Sequence, residues 1–541
     1  MATLKTDSQN YGKQFFSGVA VLTISTFIVK IIGMFYKIPM MAYLGAEGMG
    51  YFNSAYDIYS LLFVISTTGI PVAISILISE NKEKGRIANL KRIYRISLII
   101  LATLGLIGAL LLAFFHKELA VMIKNDSASY SILAISPTIL LICVASAIRG
   151  YFQGNQIMMP TAVSQVIEAM GKLLLGLGFA IIAINKGFSP PIVAAFAVLG
   201  LTVGVALSLL YLVIYKLLHK LSNSNANIDK SLDSSSGIVK SILSIAIPIT
   251  ISSTILGLTK IIDMTMILGR LNEIGYSQAE TNAIYGSYST MAVSLYNLPA
   301  TIISTITLPL VPMLASAIES GNKHKENSVI NSSLKLTAIV AMPAGLGISV
   351  FSKQILELLF FSQKAEIDYI APLLSLLGLS VFLTSMITTT NAILQSYKMV
   401  KKPIISMAVG TVVKIVFAYL LIGSERINIY GAPISTFISI TVIASINLYF
   451  IIKTTGGIAS VLELFGKPFI ASAIAMILGI ATQLILQSFI ENKLSILIVI
   501  CLVAIIYFMC ALKIKAISEN EILMLPKGEY IYNLLKKIHL V

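Results

Sequence analysis

Lys30, Lys37, Lys172, Lys260 and Lys414 lie inside apolar runs long enough to cross a bilayer. A lysine at mid-membrane depth costs about 2.5–3.5 kcal/mol on insertion scales. Five therefore cost on the order of 15 kcal/mol, comparable to the whole folding stability of a typical domain. Such cations either pair with nearby carboxylates or line a wet cavity that receives an anion. Lys30 and Lys37 are seven residues apart and project from one helix face, with Gly33 between them leaving room for a ligand or a close helix. Lys30, near mid-helix, is expected to line the cavity. Lys37 lies near enough to the outer surface to snorkel, or can pair with Asp57, which should share its depth across the turn at residues 45–50. Glu168 and Lys172 stand at i,i+4 in the favourable order and are expected to form a self-contained pair. Lys260 and Asp263, at i,i+3, can neutralise each other, whereas Lys414 has no acidic neighbour in its own helix. Set against Asp57, Glu168 and Asp263, the five lysines leave two positive charges. A net cationic interior suits an anionic cargo and is the wrong sign for a binder of organic cations.

The elements that position these residues follow from composition. The 541-residue chain is 57% hydrophobic and only 12% charged, with a mean hydropathy of +0.89. A soluble domain carries about 25% charged residues, so an all-α polytopic membrane protein is expected. Fourteen apolar runs of span length are read, from residues 15–43 and 50–78 to 467–490 and 494–512. The first run is too long for a signal-peptide core and is read as a retained helix. With the N-terminus inside, 26 Lys and Arg fall on inside-facing segments and 8 on outside-facing ones, so both termini are expected in the cytoplasm. The net charge of +15 is thus read as a topological signal, with no nucleic-acid partner. The three cysteines lie in apolar segments and the four histidines are scattered, so no metal site and no cofactor are expected.

The chain also repeats itself. Gln153, Lys172 and Pro191 have the same spacing as Gln395, Lys414 and Pro433. Lys30-Ile-Ile-Gly-Met matches Lys260-Ile-Ile-Asp-Met, and Gly69-Ile-Pro-Val-Ala resembles Thr307-Leu-Pro-Leu-Val. Pro71 and Pro309, from that last match, join Gly33 as expected helix-packing or hinge positions. Helices 1–6 echo helices 7–12, and an even number per copy makes the repeat parallel. The expected organisation is an N-lobe at 15–216, a Ser/Asn-rich cytoplasmic linker at 217–238, and a C-lobe at 239–453. Helices 13 and 14 at 467–512 and a cytoplasmic tail at 513–541 follow. The tail alternates apolar and charged residues and either lies on the inner leaflet or is solvated.

No phosphate-binding loop of the G-x-x-x-x-G-K-[ST] type and no nucleophile–base arrangement occurs, and the loops are too short for a soluble catalytic domain. Transport driven by membrane potential or a monovalent cation is the expectation, not enzymatic catalysis.

Arg149-Gly-Tyr-Phe-Gln-Gly154, Met159-Pro-Thr-Ala-Val-Ser-Gln-Val-Ile-Glu168, Gly69-Ile-Pro-Val-Ala-Ile-Ser75 and Lys30-x-x-Gly33-x-x-x-Lys37 closely resemble the polysaccharide-exporter branch of the multidrug/oligosaccharidyl-lipid/polysaccharide exporter superfamily. Within it, the chain looks most like the MurJ-like lipid II flippases and the stage V sporulation protein B group. The resemblance implies two six-helix lobes that open alternately around a cationic cavity, and a groove involving helices 13 and 14 for a polyprenyl tail. It implies a polyprenyl-diphosphate-linked saccharide as cargo, most readily the peptidoglycan precursor lipid II, moved across the plasma membrane of a bacterium. Membrane lipids and cell-wall synthesis proteins would be its partners. The family's basic pair on helix 1 carries over to Lys30 and Lys37. Relatives often have arginine there, and lysine lacks the bidentate fork, so the electrostatic role transfers but the details of diphosphate recognition do not. Alternatives left open are another lipid-linked glycan (capsular or sporulation-specific), a cation-coupled drug or small-molecule antiporter, and a non-transporting scaffold.

Overall fold

A chain that spends most of its length in lipid has no water to satisfy its backbone, and helices pair every N–H and C=O within one segment. The computed structural model describes residues 2–219, 233–307, 310–457, 459–489, 492–517 and 536, and among these there is no strand. Twelve helical stretches among the described residues are long and apolar enough to cross a membrane. The chain divides into two compact units, Met1–Ser287 and Tyr288–Val541. The expected inter-lobe linker at 217–238 falls largely on residues 220–232, outside the described residues, as do Pro309 and most of the tail.

The first unit holds α1 (Ala2–Thr67), α2 (Gly69–Glu83), α3 (Ile87–Phe114), α4 (His116–Met122), α5 (Ser129–Gly154), α6 (Met159–Asn185), α7 (Pro190–Leu218), α8 (Ser235–Glu273) and α9 (Gln278–Ser287). The turn expected between the first two spans is a single break inside α1 at Gly45, whose φ of +67° is one that glycine alone adopts freely. The second span is itself interrupted at Thr68, and Pro71 sits in the first turn of α2, where its missing N–H leaves no hydrogen bond unmade. Its backbone lies against Gly150 of α5. Gly33 behaves differently. No atom lies within 4 Å of where its Cβ would be, so it opens space beside the lysines and neither packs against a helix nor bends one.

Helices α6 and α7 pack backbone against backbone. A Cβ on Gly200 would run into the backbone of Gly176, and one on Gly171 would sit 2.5 Å from the Cα of Gly204. Gly200-x-x-x-Gly204 thus lets two backbones touch, which is how helices associate where lipid removes the hydrophobic drive. This rigid pair carries Glu168 and Lys172.

The second unit begins with a π-helical turn at Tyr288–Val293, where the Ser294 hydroxyl donates to Ser289 O at 3.0 Å. It continues with α10 (Ser294–Thr307), α11 (Leu310–Glu319), α12 (Lys323–Val350), α13 (Ser352–Leu359), α14 (Lys364–Ser396), α15 (Lys401–Ile422), α16 (Gly431–Thr455), α17 (Lys467–Leu486) and α18 (Asn492–Lys513). Sequence reads residues 283–316 as one span; helix runs from Gln278 to Thr307 through the π-helical turn, with Pro299 inside α10, residues 308 and 309 lie outside the described ones, and α11 follows. The element order echoes the first unit. A long helix followed by a short one occurs at α3–α4 and again at α12–α13, and each is followed by three long helices. Helices α17 and α18 pack on Phe351 through Ala471, Ala475, Val499 and Val503. The Tyr507 hydroxyl ties α18 to α12 by donating to Ile339 O at 2.6 Å.

Candidate functional site

In the first unit, α1 carries the functional groups on both sides of the Gly45 break. Lys30 is exposed and Lys37 half-buried on the segment before it; Tyr56, Asp57 and Tyr59 follow on the segment after it. Helix α6 brings Lys172, and α8 brings Lys260. Lys260 is a common electrostatic neighbour of Lys30, Lys37, Asp57 and Lys172. Four of the five expected lysines are therefore gathered in one place. Lys414 is buried in α15 of the second unit, 6% exposed. Asp263 is half-buried one turn beyond Lys260 on α8.

The expected Glu168–Lys172 pair is not what forms. The Glu168 carboxylate instead accepts from Arg149 Nη2 of α5 at 2.9 Å. Arg149 also donates from Nη2 to Ser208 Oγ at 3.0 Å and from Nε to Ser164 Oγ at 3.0 Å, while the Ser208 hydroxyl donates to Ser164 O at 2.8 Å. A planar guanidinium holds its donors in a fixed fork that reaches Ser164 and Glu168 of α6 and Ser208 of α7 together. The second unit has a polar cluster in the same register. Asn391 and Ser406 stand 242 residues after Arg149 and Ser164, the offset that relates Gln153 to Gln395. Asn447 joins them, donating to Asn391 Oδ1 at 2.8 Å and accepting from Ser406 Oγ at 2.6 Å.

Lys172, with Glu168 as an electrostatic neighbour but in no close ion pair with it, lies over two aromatic faces. Its Nζ is 3.9 Å from the Tyr56 ring centroid and 4.7 Å from that of Tyr36. A desolvated contact of this kind contributes about 2 kcal/mol and holds a cation without cancelling its charge. The rings belong to a ladder of Tyr36, Phe52, Tyr56, Tyr59 and Phe63, with successive centroids 5.7–6.0 Å apart. The hydroxyls of Tyr36 and Tyr59 are buried without a hydrogen-bond partner. Native interiors rarely leave such groups unsatisfied, so each marks a place for water or a ligand group.

Asp57 is 9% exposed, and its Oδ2 accepts from the Tyr285 hydroxyl of α9 at 2.5 Å. Lys30, Lys37, Lys172, Lys260 and Arg149 of this unit stand against three carboxylates, Asp57, Glu168 and Asp263. The excess of two positive charges expected for the whole chain is thus already present within one unit. Arg149, Tyr36, Tyr56, Tyr59 and Tyr285 were not among the expected site residues. The Arg149 signal lay in plain view, a lone arginine at a helix end nineteen residues before a membrane glutamate.

Membrane-length helices around a net cationic interior make this a multi-pass bacterial membrane transporter. The model of the family described as "Polysaccharide biosynthesis protein" matches residues 15–318, more than half of the chain, and the MatE model matches residues 276–420. The chain belongs to the polysaccharide biosynthesis protein family. It is 26% identical to the lipid II flippase MurJ of Bacillus subtilis (strain 168) over 482 residues, 86% of this chain and 88% of the relative. It is also 26% identical to stage V sporulation protein B of the same organism over 427 residues, covering 78% of this chain and 80% of that one. Among solved structures, a lipid II flippase MurJ in an inward closed conformation superposes with a TM-score of 0.68 at 16% identity, covering 91% of this chain and 98% of that one. Two of these relatives are named as flippases.

Proposed function

We propose that this chain is a flippase that carries a polyprenyl-diphosphate-linked saccharide, lipid II in the first instance, from the inner to the outer leaflet. The observation that carries the reading is the gathering of Lys30, Lys37, Lys172 and Lys260 beside the open space at Gly33, with Arg149 to balance Glu168. A diphosphate brings the complementary charge, and unpartnered tyrosine hydroxyls offer it hydrogen bonds. The similarity to a lipid II flippase over most of both chains supports the substrate class, and the similarity to stage V sporulation protein B supports a sporulation-specific lipid-linked glycan as the second reading. The MatE match raises a cation-coupled antiporter, but a net cationic interior disfavours the organic cations such a carrier would take.

Fourteen crossings belong to this reading. The stretch Ile24–Glu83 has 60 residues, about 90 Å of helix against a hydrocarbon core of about 30 Å, and the reading takes its break at Gly45 as the turn between two spans. Residues 283–316 supply one more. The paired element order supports a parallel repeat of two six-helix lobes, 15–216 and 239–453, with both termini cytoplasmic and α17–α18 as the tail groove. Membrane potential or a monovalent cation drives return of the empty carrier. The test is leaflet transfer of labelled lipid II in proteoliposomes, with Lys30→Ala as the comparison. Transfer that depends on Lys30 supports the reading. Transfer of a different lipid-linked glycan in its place moves the substrate assignment, and transfer undiminished in Lys30→Ala overturns the role of the cations.

A further inference from the structure

A cavity of about 410 Å³ opens in the first unit between α1, α2, α3, α5 and α8. Its walls are aliphatic, among them Leu62, Leu104, Ile139, Ile247 and Ile251. Leu104, Ile247 and Ile251 are 51%, 51% and 50% exposed, so the cavity opens onto the surface these helices present to lipid. Of its few polar groups, the Ser66 hydroxyl already donates to Leu62 O at 2.8 Å and accepts from Cys143 Sγ at 3.2 Å. A water needs two to four polar partners and would not find them here, so hydrocarbon is the occupant that fits.

The position of the cavity says which hydrocarbon. Asp57 and Ser66 are nine residues apart on α1, and Lys260 and Ile251 are nine residues apart on α8. At about 1.5 Å per residue, both helices place the cavity about 14 Å from the charged groups. It also lies at mid-length of α3 and α5, through Leu104 and Ile139. A lipid with its anionic head on the lysines could therefore lay part of its chain in this cavity without leaving the unit, whereas a resident phospholipid keeps its head at the interface. We propose that the cavity between α1, α2, α3, α5 and α8 seats the head-proximal part of the isoprenoid chain of the transported lipid. The proposal rests on the flippase reading above.

The chain contains no tryptophan, so a single introduced one reports on its own surroundings. Ile247→Trp on α8 and Leu104→Trp on α3 place it at opposite walls of the mouth. Leu174→Trp on α6, 62% exposed and outside the cavity, is the control. In vesicles of dibrominated phosphatidylcholine, all three are quenched by bromine on the surrounding acyl chains. Polyprenyl diphosphate should restore most of the lost intensity of Ile247→Trp and Leu104→Trp, saturably, and leave Leu174→Trp quenched; inorganic diphosphate should restore none. If the two mouth variants stay quenched, phospholipid keeps the cavity and the proposal falls. It also falls if all three brighten equally, which is dilution of bromine and not occupancy. Leaflet transfer by the unsubstituted protein separates this from the parent reading. Normal transfer with no brightening sinks the cavity alone, and brightening without transfer of any lipid-linked saccharide sinks the flippase.

Discussion

Truncation of Arg149 should be among the most damaging single changes in the first unit. Its side chain is 7% exposed and that of Glu168 21%, so the pair sits mostly out of water. Removing one member of a buried ion pair costs about 3–5 kcal/mol, because the survivor is left charged and desolvated. Hydrogen bonds to Ser164 and Ser208 add about 0.6 kcal/mol each on the scale of membrane double-mutant cycles. The partial exposure of Glu168 moves the total toward the lower end, about 3–4 kcal/mol, or about a 100- to 1,000-fold change in the folded-to-unfolded ratio. Reversible unfolding in mixed micelles of the unsubstituted protein, Arg149→Met, Glu168→Gln and the double variant measures this. The double variant should be more stable than Arg149→Met, because the orphaned charge is gone, with a coupling energy above about 2 kcal/mol. Effects that add to within about 0.5 kcal/mol would refute the reasoning: the two groups would then not act as a pair.

Tyr285→Phe removes the hydrogen bond to the Asp57 carboxylate and should cost about 1.5–3 kcal/mol, read as a lower unfolding midpoint that Asp57→Asn largely masks when combined. Gly200→Val drives a side chain into the Gly176 backbone and should cost at least about 1–3 kcal/mol, with sharply reduced yield of monodisperse protein. Gly178→Val, with nothing within 4 Å of its Cβ, should not. Glu280 accepts from the Ser277 backbone N–H and hydroxyl, which holds its carboxyl below the usual range. Its stabilising contribution is therefore full above the ordinary glutamate pKa and lost as pH falls through the lower folded value. The thermal midpoint of Glu280→Gln should lie below that of the unsubstituted protein at pH 7, and the difference should close toward pH 3.

The helices were legible because lipid demands long apolar runs, and the Gly45 break fell where two glycine-bracketed spans meet. Lys30 and Lys37 were legible as one face because a helix repeats its surface every seven residues. The Glu168 partner was misread for a physical reason. Spacing at i,i+4 shows only neighbours on the same helix, while Arg149 reaches Glu168 from another helix. The aromatic ladder escaped notice because tyrosine within an apolar span looks like ordinary core until a cation is found on its face. Nor could hydropathy show the π-helical turn at Tyr288–Val293, since such a turn leaves the apolar run intact.

The central claim is that the four lysines of the first unit receive an anionic head group. Equilibrium binding of polyprenyl diphosphate to the detergent-solubilised protein tests it most directly, compared with Lys30→Met and Lys260→Met at two salt concentrations. Each substitution removes one charge-assisted contact of about 1.5–3 kcal/mol, so affinity should fall about 10- to 150-fold and its salt dependence should weaken. Affinity unchanged in both variants, while each remains folded and monodisperse, would contradict the account.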